Sequence, residues 1–415
     1  MAAKRSFFSF ILLLFLSAVL QASSFQFQYD QYFSSTAGAS LLSSTQRELL
    51  SLQQHFIKAP VQKTLSKALY AQTELDFAGR LLNFIYFDYP LSHYLMLWQH
   101  EFFGHGYRMR ELGFRDLRYY VSSVWPYVDT SSGYASGITP SGISRFEFAS
   151  VYAAGIEANR VLANQILESQ FQSGTLQYSE GLLAFFSFRD FASYVNATEV
   201  ADIASASGDI AGYLKEVNAA FGYSNVNDYA LTLEDLQNAA ELSALSPLHL
   251  IYASAFVRYL YDGDTAFAFP YLYFKDYQYF FNVEPSLSPF GLAWEFSLWL
   301  NKWPTNKQSR FRFVKSDGQL SDFWLFSYSR SHLYQVGGLQ LGLELAFWQQ
   351  PQLDALNPQE LKPGALVLLK STFRIKRLSE HSQGRLDIGY KDEGYVRGFE
   401  LGQGLLTRFA IDWQF

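Results

Sequence analysis

The chain has 415 residues, contains no cysteine and carries a formal net charge of −6, from 32 basic and 38 acidic residues. The lack of cysteine excludes disulfides and thiolate metal ligands, and the acidic balance disfavours nucleic acid as a partner. Aromatic residues make up 18% of the chain and charged residues only 17%. This composition is unusual for a soluble enzyme and indicates a bacterial envelope protein in contact with a membrane.

Residues 1–24 have the organisation of a secretory signal peptide. Lys4 and Arg5 supply the positive charge, Phe7 to Leu20 form an apolar core, and small residues up to Ser24 suit a cleavage site. The core is short for a membrane span, and a retained N-terminal anchor is the alternative. Removal of the segment takes away two basic residues, which leaves 30 basic and 38 acidic residues and a net charge of −8.

Residues 25–262 have mainly helical periodicity. The pattern predicts a helix that opens near Ser43, helices over Gln72–Asp88 and Leu91–Leu112, a strand pair or loop from Leu117 to Ile138, and a helix from Ser144 to Glu168. Pro90 is expected to break or kink the chain between the second and third of these helices. No segment after residue 24 offers eighteen uninterrupted apolar residues, so the sequence predicts no transmembrane helix.

The segment His100-Glu101-Phe102-Phe103-Gly104-His105 carries the clearest chemistry in the sequence. Neutral imidazoles are the commonest protein ligands for zinc, and a carboxylate beside one can accept a proton from water at the metal. The two histidines are five residues apart, about 140° on a regular α-helix, which is too far for one ion. We therefore expect Gly104, or a one-residue helix bulge, to bring His105 back beside His100.

This H-E-x-x-G-H segment resembles the zinc motif of the dipeptidyl-peptidase III family, in which a glutamate on a later helix is the third ligand. Glu157 stands 57 residues after His100. The resemblance implies that His100, His105 and Glu157 bind zinc and that Glu101 is the general base, the pattern of the gluzincin metallopeptidases. It extends over short stretches only, and Val161 stands where that family has an acidic residue.

Several alternatives remain open for the site. Glu147 is a second candidate for the third ligand, and an ion pair with Arg160 or Arg145 is the alternative role for Glu157. His93 lies seven residues before His100, on nearly the same helical face, where it supports either the site or the core. The other histidines belong to no such pattern; they are His55, His249, His332 and His381. Tyr152 and Arg160 are candidate donors to a developing oxyanion.

Residues 263–415 alternate with period two. Apolar side chains occupy every second position, as in Leu339, Leu341 and Leu343 or in Phe409, Ile411 and Trp413. Strands of about ten residues with one apolar and one charged face are typical of outer-membrane barrels, and the terminal Phe415 resembles the assembly signature of such proteins. We expect an antiparallel β-barrel of about 8–10 strands, and hence an α+β fold overall; a soluble sandwich is the alternative.

These features predict an exported, zinc-dependent hydrolase, in the first place a peptidase. We expect its helical part on the periplasmic side and its barrel in the outer membrane. The expected partners are peptide or envelope substrates and membrane lipid. Hydrolysis of a lipid or peptidoglycan amide or ester is a further possibility. The alternative from another class is a non-catalytic envelope barrel whose histidines are inert or store metal.

Overall fold

A computed structural model describes residues 24–53, 72–127, 132–302, 307–354, 358–375 and 382–414. Residues 1–23 of the predicted signal peptide lie outside these ranges, as do His55, His381 and Phe415. Within them the fold is mixed α+β, with helices in the first part of the chain and a large antiparallel sheet in the second.

The described helices surround one long central helix, α5. They are α1 (Ser35–Gln53), α2 (Gln72–Asn83), α3 (Tyr89–His100), α4 (Gly106–Glu111), α5 (Arg145–Ser173), α6 (Tyr178–Ala197), α7 (Val200–Ser205), α8 (Asp209–Ala220), α9 (Leu233–Ser243) and α10 (Pro247–Asp262). Two π-helices, Phe84–Asp88 and Glu101–His105, join α2 to α3 and α3 to α4, and a 3-10 turn spans Val226–Asp228.

The described strands fall into one large sheet and two short pairs. They are β1 (Ser24–Tyr29), β2 (Arg115–Val121), β3 (Gly133–Ile138), β4 (Thr175–Gln177), β5 (Ala266–Ala268), β6 (Leu272–Phe274), β7 (Tyr277–Ser288), β8 (Gly291–Lys302), β9 (Lys307–Ser316), β10 (Trp324–Val336), β11 (Leu339–Pro351), β12 (Leu361–Arg374), β13 (Gln383–Lys391) and β14 (Gly404–Gln414). The predicted strand pair over 117–138 is the β2–β3 hairpin.

Local sequence signals explain the limits of α5. Ser144 accepts a hydrogen bond from the backbone N–H of Glu147, and the Glu147 carboxylate accepts one from the N–H of Ser144, which is a capping box. The helix ends at Gly174, whose φ of 73° favours glycine. Glu147 is therefore a helix cap, which leaves it outside the metal site that the sequence also allowed.

Of the break or kink predicted at Pro90, the break does not occur. Helical backbone continues from α2 through the first π-helix into α3, and the N–H of Tyr89 donates to the carbonyl of Phe84 five residues back. Proline is expelled from a regular helix because its ring clashes with the preceding turn and it lacks an N–H. The wider π turn directly before Pro90 makes room for the ring.

The ten-stranded sheet has the order β1-β14-β13-β12-β11-β10-β9-β8-β7-β6, and every neighbouring pair is antiparallel. Among the described residues, β1 and β6 are its two edges. The segment 25–262, predicted to be helical, thus contributes a strand: Phe25, Phe27 and Tyr29 alternate with Gln26 and Gln28. The sequence did not predict this strand, because an alternation over six residues next to an apparent signal peptide is too short to recognise.

The period-two prediction is confirmed by the register. One row of side chains crosses eight strands in register, and every member is apolar or aromatic; we call it the outer row. It consists of Phe281, Leu298, Phe311, Tyr328, Leu345, Val367, Tyr390 and Leu405. None of these side chains is buried. The apolar face of the sheet therefore points away from the protein interior, and the predicted residues Leu339, Leu341 and Phe409 share that exposure pattern.

The opposite face of the sheet is charged and curls around α5. A cavity of about 420 Å³ lies there, lined by charged side chains from several strands: Arg310, Arg312, Glu344, Lys370, Arg385 and Arg408. Gln28 of β1 lines the same cavity, although β1 and β9 are six places apart in the sheet. Strands so far apart can meet at one cavity only if the sheet is strongly curved.

Buried ion pairs tie α5 to the sheet. Arg160 of α5 lies 3.0 Å from Glu284 of β7, which also pairs with Arg397 at 2.9 Å, and Arg397 reaches Glu295 of β8 at 3.2 Å. Removing one partner of such a buried pair costs about 3–5 kcal/mol. The predicted domain boundary near residue 263 therefore marks a change from helices to strands. The helices before it and the sheet after it share one buried interior.

No single described helix is long and apolar enough to cross a membrane. Helices α9 and α10, which meet at an angle of 53°, are together long and apolar enough, by length and composition only.

Candidate metal centre

The second π-helix resolves the awkward spacing of the two histidines. The N–H of Gly106 donates to the carbonyl of Glu101, which is the i→i+5 pattern of a π turn. Residues five apart are neighbours on such a turn, so His105 lies beside His100. The expected one-residue bulge is confirmed, and it falls within the H-E-x-x-G-H segment.

Two glycines allow this turn to pack closely on α5. A side chain on Gly104 would come within 2.7 Å of the Ala154 carbonyl oxygen. A side chain on Gly155 would overlap the imidazole of His100. The absence of a side chain at Gly155 therefore provides the space in which His100 is held.

Three side-chain atoms that can bind a metal ion lie close together beside this π turn. His100 Nε2 lies 3.1 Å from His105 Nε2 and 2.9 Å from Asp209 Oδ2, and His105 Nε2 lies 3.2 Å from the same oxygen. Among the described residues this is the group of histidines and acids able to hold a metal ion. Atoms so spaced can all lie about 2.0–2.2 Å from one ion above their plane, which fits two imidazoles and a carboxylate on zinc.

Hydrogen bonds at the far side of each ring orient the histidines. His105 Nδ1 donates to the carbonyl of Val151 at 2.7 Å; because a carbonyl only accepts, the proton is on Nδ1, and Nε2 of the neutral ring is free to bind metal. His100 Nδ1 lies 3.2 Å from Asp190, which also accepts from Asn159 at 2.9 Å. Carboxylate–histidine pairs of this kind fix ring orientation in metal sites.

The electrostatics favour a charged Asp209. Burial opposes its ionisation, but the two histidines that contact it hold the pKa of the Asp209 carboxyl well below its usual range. Burial likewise opposes protonation of His100, but Asp190 and Asp209 outweigh burial and raise the pKa of His100 well above its ordinary value. The three groups thus form a pocket with a strong affinity for positive charge, whether protons or a metal ion.

Glu101 lies beside the cluster, next to His100 in the chain. It is buried, and its Oε2 has no hydrogen-bond partner among the described residues. Gly133 of β3 leaves room for it, since a side chain at that position would come within 2.6 Å of Glu101 Oε1. Burial raises the pKa of the Glu101 carboxyl. A buried carboxylate oxygen without a partner is rare and calls for a functional explanation.

Glu157, the predicted third ligand, lies outside the group that could hold a metal ion, and Asp209 completes that group. The Glu157 carboxylate accepts a hydrogen bond from the N–H of Gly398 at 2.8 Å and pairs with Arg108 at 3.3 Å. It is two residues beyond Gly155, about 200° around α5 from the side that faces His100. Neither of the ion pairs considered for Glu157, with Arg160 or Arg145, forms; Arg108 takes that place.

No sequence signal pointed to Asp209. It follows His105 by 104 residues, 209 minus 105, and belongs to no motif in the sequence. Its position as the first residue of α8 is common for an acid at a helix N-terminus and does not single out a ligand. Only the packing of α8 against α5 brings it to the histidines.

The remaining candidates lie outside the cluster. His93 contacts the hydroxyl of Tyr89 at 3.2 Å, and His249 and His332 are likewise not among the three grouped residues. Arg160 faces Glu284 of the sheet, which removes it as a donor to an oxyanion. Tyr152 packs against Gly212 of α8, one turn from Asp209, and so stays a candidate.

The close contact at Gly155 makes a testable prediction. Replacing Gly155 by Ala should displace the His100 ring and lower zinc affinity by about 10–100-fold, as changes outside the ligand shell commonly do. Gly79→Ala is the matched control, because nothing lies near that position in α2. Zinc affinity is measured by competition with a chromophoric chelator. Equal affinities for the two variants would show that His100 does not depend on Gly155.

Comparisons with protein-family models, with curated proteins and with solved structures give no match for this chain.

Proposed function

We propose that the protein is a zinc-dependent hydrolase of the bacterial envelope and, in the first place, a peptidase. One observation carries the proposal: metal-binding atoms of His100, His105 and Asp209 lie 2.9–3.2 Å apart, beside the buried carboxylate of Glu101, whose Oε2 has no hydrogen-bond partner in the described part of the chain. A zinc ion held by these three residues would lower the pKa of water and polarise a substrate carbonyl.

The residues around that position have distinct roles in peptide hydrolysis. Glu101 accepts the proton of the attacking water as its oxygen bonds to the carbonyl carbon. The same carboxyl then gives that proton to the amine nitrogen as the C–N bond breaks, so the site returns to its starting state. Asp190 keeps the His100 ring in place, and the Tyr194 ring, stacked on His100 at 4.8 Å between centroids, restricts its movement further.

Metal content and activity of the purified full chain test this function together. We expect the chain to retain a single zinc ion and to cleave peptides in a fluorogenic peptide library. A chelator should abolish cleavage, and added zinc should restore it. Purified protein that neither holds nor takes up metal would contradict the hydrolase; metal binding without cleavage of peptides, lipid esters or peptidoglycan would favour a non-catalytic metal site instead.

We also propose a finer architecture and a location. The curved sheet, with helices at its open side, is the wall of an outer-membrane barrel whose metal centre is reached from the periplasmic side. Support comes from the outer row, in which every side chain is apolar or aromatic, and from the charged face that lines the cavity. This is the polarity of outer-membrane barrels and the reverse of a soluble sandwich.

A further inference from the structure

Helix α10 has an apolar face that no part of the described protein covers. Leu250, Val257 and Tyr261 are 71%, 49% and 69% exposed, and their spacing of seven and four residues places them on one side of the helix. The other side packs into the core through buried residues such as Leu248 and Tyr252. A helix at a protein–water boundary has polar residues on its outer side, so water is a poor neighbour for α10.

Helix α10 begins beside strand β7 of the sheet. Its N-cap, Ser246, donates a hydrogen bond at 2.8 Å to the buried Asn282 of β7, and the chain beyond α10 leads directly into β5 and β6. The edge strand β6 is exposed and apolar, with Tyr273 at 68% and Phe274 at 64%. Exposed apolar residues therefore occur on the sheet, on its edge strand and on the helix that precedes that strand in the chain.

The same surface extends one helix further, onto α2 and the π-helix after it. Phe77 of α2 packs against Tyr261 with ring centroids 5.2 Å apart, and Arg80 donates to the carbonyl of Leu260 at 2.7 Å. Beyond these contacts Leu82, Tyr86 and Phe87 are 46–55% exposed.

We propose that the acyl chains of a lipid bilayer cover the outward faces of α10 and α2 together with the sheet, so that helices complete the lipid-facing wall beyond the β6 edge. The inference rests on the membrane location proposed above and is independent of the metal centre. It assigns these helices a contact with lipid, whereas a barrel with a separate periplasmic domain would leave them in water.

The requirements of backbone hydrogen bonding support this arrangement. A bare sheet edge is not tolerated in hydrocarbon, because its N–H and C=O groups find no partner there. Strand β6 pairs only with residues Tyr277 to Tyr279 of β7. Elsewhere β7 is in contact with helices α5 and α9. Helices therefore lie beside a strand that β6 pairs only in part.

The dimensions and extent of the surface favour lipid over a second copy of the chain. Strands β7 to β12 have 10–14 residues, and at about 3.4 Å per residue each is long enough for the roughly 30 Å hydrocarbon core. Helix α10, with 16 residues, spans about 24 Å of it. A protein partner typically covers about 800 Å² on each side, whereas this surface runs around a curved sheet of ten strands and then onto two helices.

The absence of cysteine makes a direct test possible. Single variants Phe313→Cys on β9, Val257→Cys on α10 and Lys215→Cys on α8 would each carry one nitroxide label; all three side chains are exposed. The full-length chain is reconstituted into vesicles of phosphatidylethanolamine and phosphatidylglycerol. Collision of each label with oxygen, which concentrates in hydrocarbon, is compared with collision with a water-soluble nickel chelate. Equal far-ultraviolet circular dichroism of the three variants serves as the check on folding.

We expect the oxygen-to-nickel ratio to be several-fold higher at positions 313 and 257 than at position 215. A high ratio at 313 with a water-like ratio at 257 would overturn lipid contact by the helices and leave the membrane-embedded sheet intact. Water-like ratios at all three positions would overturn both proposals. Exclusion of both reagents at 257, with dipolar broadening between labels, would place a second copy on that face and also overturn lipid contact there.

Discussion

The Glu101→Gln variant should still bind a single zinc ion and yet hydrolyse any peptide that the native chain cleaves at least about 10²–10⁴-fold more slowly, which is the usual contribution of general acid–base catalysis. The substitution keeps the size of the side chain but removes the carboxylate that accepts the water proton. Metal binding should survive because Glu101 is not one of the three converging groups.

Glu168→Gln is the matched control for this experiment. Glu168 lies on α5, whereas Glu101 lies on the second π-helix, and the ion-pair contact of Glu168 is Arg310 of the sheet at 4.0 Å. The control should keep native turnover and native zinc content. Initial rates and metal analysis are measured on the same preparations. A Glu101→Gln protein as active as the native chain would remove the general-base role and with it the proposed mechanism.

The second large effect separates the observed third group from the predicted one. Asp209→Ala should weaken zinc binding by more than about 100-fold, since even partners outside the ligand shell are worth 10–100-fold. Glu157→Gln should leave zinc affinity unchanged, because its carboxylate is engaged by Arg108 and Gly398. Both affinities are obtained by chelator competition, with circular dichroism as the check on folding.

Glu157→Gln should instead reduce stability. It leaves Arg108 buried with one ionic partner fewer, and loss of a buried partner costs about 3–5 kcal/mol. The remaining pair between Arg108 and Glu111 at 2.5 Å should keep the loss at the lower end of that range. Loss of zinc from Glu157→Gln with retention by Asp209→Ala would restore the ligand set implied by the H-E-x-x-G-H resemblance.

Features that depend on neighbouring residues could be predicted from the sequence. Leu339 to Phe347 form a strand because alternation over a few residues is enough to define two faces. The π turn could be anticipated because two histidines five residues apart can serve one ion only if the helix is widened. The helix α5 was found with its capping residue, Ser144, although its C-terminal end extends beyond the predicted Glu168.

Features that depend on distant packing could not be predicted in this way. Asp209 lies beside the histidines because α8 packs against α5. The spacing of residues along the chain does not reveal that contact. Glu157 stands at the separation that the resemblance requires, but the rotation of α5 that brings Gly155 to His100 turns Glu157 away. The break expected at Pro90 is absent for the opposite reason. Proline normally disrupts a regular helix, but the π turn before Pro90 makes room for its ring.

The pairing of β1 with β14 has a consequence for how the protein is assembled. Ser24 lies opposite Gln414, a separation of 390 residues, 414 minus 24, and contacts so remote in the chain form slowly because a long loop must close first. The pairing of β1 cannot form until β14, the last described strand, has been synthesised. Until then the edge of β1 that pairs with β14 is free, so the unfinished chain is prone to aggregate and is a natural client for chaperones.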